Sequence, residues 1–248
     1  MFSGIIEAQG QVLSAQAYGE STLGSSISDT APVVAPVLAP VFAAEVASVN
    51  GAANALGPLS NVVIEVQRPI SFDDLKTGDS IAVDGVCLTL EKFDNTKMQF
   101  SLGPETLKIT SWNLENLKAR FFNLERSMRL GERIHGHLVS GHVDTLGRVE
   151  SALAIGAALE LVISLEQKYR AYFPKKASWA VAGVSLTIND VQLINDRVHI
   201  ASCLIPETLK RTNLGALKAG NKINIEIDFM VRTMLHSLQD RINEREFL

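Results

Sequence analysis

The feature that most limits what this chain can fold into is an internal repeat. DGVCLTL at Asp84–Leu90 returns as AGVSLTI at Ala182–Ile188. GPETLK (Gly103–Lys108) returns as IPETLK (Ile205–Lys210), followed by ITSWNLENLK (Ile109–Lys118) against RTNLGALK (Arg211–Lys218). FFNLER (Phe121–Arg126) aligns with INIEID (Ile223–Asp228), and SGIIEAQGQV (Ser3–Val12) with SGHVDTLGRV (Ser140–Val149). Blocks that recur in one order require two copies of one folding unit rather than a single large domain.

The offsets between copies locate an insertion. Gly4 and Gly141 lie 137 apart, whereas Gly85 and Gly183 lie 98 apart, so the first copy holds 137 − 98 = 39 additional residues between Val12 and Gly85. They coincide with APVVAPVLAPVFAAEVASVNGAANALGP, where Asp29 and Glu45 are the charges across Ser25–Leu59. This Ala/Pro-rich stretch, about 24–58, reads as an extended surface loop. Pro32, Pro36 and Pro40 would each break helical hydrogen bonding, so it is not a membrane span. MFSGIIEAQG lacks the basic and apolar pattern of a secretory signal.

With 23 basic and 27 acidic residues the net charge is −4, which gives no field favouring nucleic acid or an anionic membrane. Cys87 and Cys203 occupy non-equivalent places in the copies, so no disulfide framework is indicated and a reducing, cytoplasmic compartment is expected. Runs of four to eight residues rich in Val, Ile, Thr and Phe, bounded by Gly, Asp, Asn and Pro, predict short strands forming a small antiparallel barrel or sandwich per copy. A helix is expected last. Val231, Leu235, Leu238 and Ile242 are spaced 4, 3 and 4, a seam that either joins partner helices or covers its own barrel.

MFSGII, GDSIAVDGVCLTL, GHLVSGHVD, GVSLTI, LIPETLKRTNLG and NIEID together resemble the riboflavin synthase family over nearly all of the chain outside the insertion. The resemblance implies an all-β fold of two tandem six-stranded antiparallel Greek-key barrels plus a C-terminal helix. The expected domains are 1–136, 137–228 and a trimerisation helix at 229–248. The implied activity is a transferase reaction between two 6,7-dimethyl-8-ribityllumazine molecules, in which a four-carbon unit passes from one to the other to give riboflavin and 5-amino-6-ribitylaminouracil. No metal or redox cofactor is implied. A homotrimer is, with lumazine synthase as a candidate further partner. The alternative is a non-catalytic lumazine or flavin carrier of the lumazine-protein type. Such relatives lose polar residues from the first-half signatures, whereas GVCLT and GHLVSGH stand intact here.

Carried over by position, the first-barrel pocket comprises Gly4, Ile5, Ile6, Cys87, Leu88, Thr89, Ser101, Leu102, Gly103, Pro104, Glu105, Thr106, Gly141, His142 and Val143. The second comprises Ser185, Leu186, Thr187, Cys203, Leu204, Ile205, Pro206, Glu207 and Thr208, with Lys176 at its edge. His142, Cys87, Ser80, Phe2, Ser185 and Asp228 match functional family positions. His142 is expected to move a proton, Cys87 and Ser80 to make polar contacts or relay protons, and Phe2 to wall the ring. His142 stands where the first copy has Ile5, so one site is expected to hold an imidazole. His135, His137 and His142 lack a Cys, Asp or Glu cluster at ligand spacing, which argues against a metal centre. Three departures from the family pattern stand out: Ser3, His135 and Ala182, the last replacing an acid and expected to weaken orientation of one substrate.

Overall fold

The structure, a computed structural model, describes residues 1–18 and 61–245, with side chains as far as 238. The Ala/Pro-rich stretch at 24–58 lies outside the described residues, as does the side chain of Ile242. The first copy runs β1 (Ala8–Tyr18), β2 (Asn61–Gln67), β3 (Ser80–Val83), β4 (Val86–Thr89), β5 (Lys92–Phe93), β6 (Lys97–Leu102), α1 (Pro104–Thr110), α2 (Leu114–Leu117) and β7 (Phe121–Arg126). The second runs β8 (Thr145–Ile155), β9 (Ala158–Glu166), β10 (Ser178–Val181), β11 (Val184–Thr187), β12 (Asp190–Ile194), β13 (Arg197–Leu204), α3 (Pro206–Arg211) and β14 (Lys222–Ile227), before α4 (Phe229–Arg245).

Both sheets are antiparallel and share one order, β4-β3-β7-β1-β2-β6-β5 and β11-β10-β14-β8-β9-β13-β12. Crossovers from β2 to β3 and from β6 to β7 give the Greek-key path, and each sheet curls so that β4 meets β6 and β11 meets β13. The fold is all-β with two tandem units and a C-terminal helix, as expected. Each sheet has seven strands rather than six, because β5 and β12 extend the edge beside β6 and β13. Among the described residues no helix is long and apolar enough to cross a membrane.

Alternation builds the cores. In β4 and β11 the pattern is identical: Val86, Leu88, Val184 and Leu186 are buried, while Thr89 and Thr187 are exposed. The first core gathers Ile64, Phe72, Ile81, Phe100, Leu102 and Phe122, the second Ile163, Leu165, Phe173, Trp179, Ile200 and Ile225. The tight hairpins before β4 and β11 place Asp84 and Gly85 at φ 44° and 79°, and Ala182 and Gly183 at 46° and 79°. Both central residues must adopt positive φ in such a turn, which glycine does without penalty.

The structure corrects one alignment. Gly10 pairs with Phe122, and Gly147 pairs with Ile223, so β7 matches β14 at an offset of 101 rather than 102. Phe121 therefore answers Lys222, and Glu125 answers Glu226. A one-residue slip turns every side chain to the opposite face, so the corrected register is what makes both glutamates equivalent.

Tyr18 pairs directly with Asn61, whereas the matching strands of the second copy close through Gly156 and Ala157. Residues 19–60 thus join the two ends of an already paired ladder. Replacing them with a two-residue Gly-containing turn is expected to preserve folding and, by shortening the closed loop, to raise stability by up to about 2 kcal/mol. Chemical denaturation would measure this, and insoluble protein would contradict it.

Candidate functional site

The two barrels meet back to back around a small apolar seam of Phe2, Ala82, Val139 and Ala180, with Cys87 packed on it. Backbone groups of Phe2 and Val139 bond each other reciprocally at 2.8 and 3.0 Å. Gly85 and Gly183 approach so closely that a Cβ on Gly85 would stand 2.6 Å from the Gly183 nitrogen. A buried polar net locks this seam. Asp84 accepts from the Asn123 N–H and the Asn213 side chain, both at 2.8 Å, and from Arg120 at 3.1 Å. Asn123 and Asn224 reach across to the Ala182 and Asp84 carbonyls at 3.0 and 2.9 Å. Burial pushes the Asp84 carboxyl above its ordinary range, while Arg120 and the amide donors pull it back.

On either side of the seam lie two mirrored surfaces, each built from one strand and a short segment delivered from the other copy. In the first, the Cys87 N–H donates to the Gly141 carbonyl at 2.8 Å, and Val143 packs into the first core. In the second, the Ser185 N–H donates to the Gly4 carbonyl at 2.8 Å, and Ile6 packs into the second core. The expectation that Gly4 and Ile6 belong to the first-barrel pocket is therefore corrected: they contact the second barrel, while Ile5 lines a cleft beside Ser80 of the first. Gly141, His142 and Val143 do lie on the first.

Each delivered segment is pinned by one carboxylate of its own copy. Glu125 accepts from Ser3 N–H, Ser3 Oγ and Gly4 N–H at 2.6, 2.8 and 3.0 Å. Glu226 accepts from Ser140 N–H, Ser140 Oγ and Gly141 N–H at 2.6, 2.6 and 2.9 Å. Burial raises both carboxyls and the three donors oppose it. The residue Ser3 therefore keeps the hydroxyl its position uses.

Cross-strand pairing gathers side chains on one face. Ser80 stands opposite Thr89 and Ala82 opposite Cys87; Ser178 stands opposite Thr187 and Ala180 opposite Ser185. Next to the first set opens a cleft of about 990 Å³ whose lining includes Ser3, Ile5, Ser80, Glu125, Arg126 and Arg129. His142 is exposed beside Gly141, and Ser101 and Cys203 are exposed at the matching ends of β6 and β13. Gly103 and Ile205 precede the short helices that begin Pro104-Glu105-Thr106 and Pro206-Glu207-Thr208. Lys176 sits at φ 72°, where the first copy has Gly78 at 95°.

Several expected residues do not face the surface. Leu88, Leu102, Leu186 and Leu204 are core side chains, so only their backbones are available to a ligand. Phe2 is fully buried and backs Cys87 from within the seam, rather than lying over a ligand ring. Ala182 is also buried there, so the missing acid bears on barrel contact and not on substrate orientation. Asp228 accepts from the Met230 and Val231 N–H groups at 2.8 and 3.3 Å, capping α4.

The expectation of an imidazole at one site alone is overturned. His137 Nδ1 lies 2.7 Å from Ser185 Oγ, giving the second surface its own. Burial holds the His137 pKa below its ordinary value, partly offset by the charge of Asp228. The position was visible in GHLVSGH, but its partner is far away in sequence. Among the described residues no three metal-ligating side chains cluster.

The two mirrored surfaces combine backbone amides with small hydroxyl, thiol and imidazole groups, the kind of lining that suits a small-molecule site. The lumazine binding domain matches residues 3–127 and 140–228, and the chain belongs to that family. It is 37% identical to the riboflavin synthase of Photobacterium phosphoreum over 66% of this chain and 72% of that one. It is 35% identical to that of Escherichia coli (71% and 80%) and 28% identical to that of Saccharomyces cerevisiae (99% and 91%). The solved structure of LumP complexed with 6,7-dimethyl-8-(1'-D-ribityl) lumazine matches with TM-score 0.65 at 15% identity, covering 92% of this chain and 99% of that one, a likeness of fold.

Proposed function

We propose that the chain catalyses the riboflavin synthase reaction, passing a four-carbon unit between two molecules of 6,7-dimethyl-8-ribityllumazine. The observation that carries this reading is the relatedness to riboflavin synthases over two thirds or more of their length, on a chain that retains both polar surfaces. Two copies of one ligand suit two mirrored surfaces, and the differing groups suit the different fates of donor and acceptor. His142 and Cys87 supply an exposed imidazole and a thiol on one surface, and Ser185 a hydroxyl on the other. His142 takes up a ring-methyl proton, Ser80 and Thr89 orient the ring or its ribityl hydroxyls, and holding two rings together supplies much of the rate.

The domains in this reading are 1–136, 137–228 and the helix 229–248, and the assembly is a homotrimer in the cytoplasm. In support of assembly, both surfaces are open, and α4 leaves Met230, Met234 and Leu238 uncovered on one side while Val231 and Leu235 are half-buried. The two cysteines are free, which suits a reducing compartment. Purified protein given the lumazine alone is expected to release one riboflavin and one aminopyrimidine per two substrates, followed by absorbance. Tight binding without riboflavin would instead favour a carrier of the lumazine-protein type.

A further inference from the structure

We propose that His137 is a positioning residue for Ser185, fixing that hydroxyl so that it offers a directed polar contact to the ligand of the second barrel. The proposal rests on the flavin-forming reading above. Ser185 already commits its backbone N–H to Gly4, so its Oγ is the polar atom left to meet a ligand. That Oγ has one side-chain partner, His137 Nδ1 at 2.7 Å. When the hydroxyl donates to Nδ1 its rotor is fixed and its lone pairs remain for a ligand; when Nδ1–H donates, Oγ is held in place and keeps its own hydrogen for a ligand acceptor.

The imidazole is held for this contact. The His137 N–H donates to the Ser3 carbonyl at 3.2 Å, and Val139 bonds Phe2 two residues on. A Cβ at Gly136 would stand 2.1 Å from the Ser3 oxygen and 2.9 Å from Ser185 Oγ, so the chain presses onto Ser185 just before the ring. Both His137 and Ser185 remain half-exposed, which leaves the pair accessible. The mirrored Cys87 has no side-chain hydrogen-bond partner among the described residues, so the two surfaces differ in how firmly their polar group is held.

Asparagine carries its amide at the reach of Nδ1 and glutamine at that of Nε2, which separates the contact from mere polarity. His137→Leu is expected to lower kcat/KM about tenfold or more, His137→Asn to return within about threefold of the parent, and His137→Gln to stay near the leucine variant. Ser185→Ala should lose a similar factor, and adding His137→Leu to it should change little further, because the histidine acts through the serine. Multiplying losses, or equal activity of the asparagine and glutamine variants, would overturn the proposal. Should the leucine variant fail to fold, the asparagine and glutamine pair still decides it. If the parent makes no riboflavin, the flavin-forming reading fails by itself. The same variants are then compared by equilibrium titration with the lumazine, where the same coupling is expected in affinity.

Discussion

Asp84→Ala is expected to destabilise the chain by about 3–5 kcal/mol, the largest loss from any single truncation of a side chain in the barrel seam. Asp84 is fully buried and accepts hydrogen bonds from three groups, one of them on the other barrel. Its removal leaves the buried Asn123 N–H without an acceptor, worth about 1–3 kcal/mol, and takes one of two acceptors from the half-buried Asn213 amide, which keeps the Phe121 carbonyl. Arg120 is part-exposed and recovers some solvation, which keeps the total below the sum of the three. Asp84→Asn separates charge from geometry. It keeps one oxygen for the amide donors and tolerates the positive φ of the turn, so it should cost about half as much. Denaturant unfolding measures both, and a loss below about 1 kcal/mol for the alanine variant would show that the net is not what locks the barrels.

The second copy shows why this acid is used once. Ala182 occupies the mirrored turn, yet its carbonyl is what Asn123 seeks, and Ser111, matching Asn213, is exposed rather than aimed at the seam. A repeat thus reveals that two positions correspond without revealing that their surroundings do. The same limit explains what the sequence withheld about the site. Strand runs, the repeat, the insertion between paired strands and the C-terminal helix were legible because each is written as local periodicity or offset. The placement of Gly4 and Ile6 on the second barrel was not, since exchanging two equivalent segments leaves every repeat match unchanged. The His137–Ser185 contact depends on that exchange, because the Ser3–Gly4 strand end carries both partners. The expectation that Phe2 walls the ring fails for a like reason: its position in the family pattern says that it matters, and only the packing of Val139, Ala82 and Ala180 shows that it is buried.

Gly141→Ala is expected to lower turnover about a hundredfold with a modest loss of stability. Gly141 has φ 81°, so any side chain there costs about 1–2 kcal/mol in backbone energy. Space is the larger difficulty. The added Cβ would stand 2.6 Å from the Cys87 Cβ, 2.9 Å from its nitrogen and 3.0 Å from the Phe2 ring, where carbon contacts settle near 3.5–4.0 Å. The segment must therefore retreat by about 1 Å. Glu226 holds Ser140 and Gly141 from behind, so the movement falls on the Cys87 contact and on His142 beside it. A displacement of that size in a group that must meet a reacting ring costs on the order of a hundredfold. Gly156→Ala is the matched control. Its φ is 62° and nothing lies within 4 Å of the new methyl, so it carries the backbone penalty without the collision. Steady-state rates with the lumazine should therefore leave Gly156→Ala near the parent while Gly141→Ala falls away. Equal rates for the two would mean that the Gly141–Val143 segment holds none of the reacting groups, and would move the proton-transferring residue to another part of the first barrel.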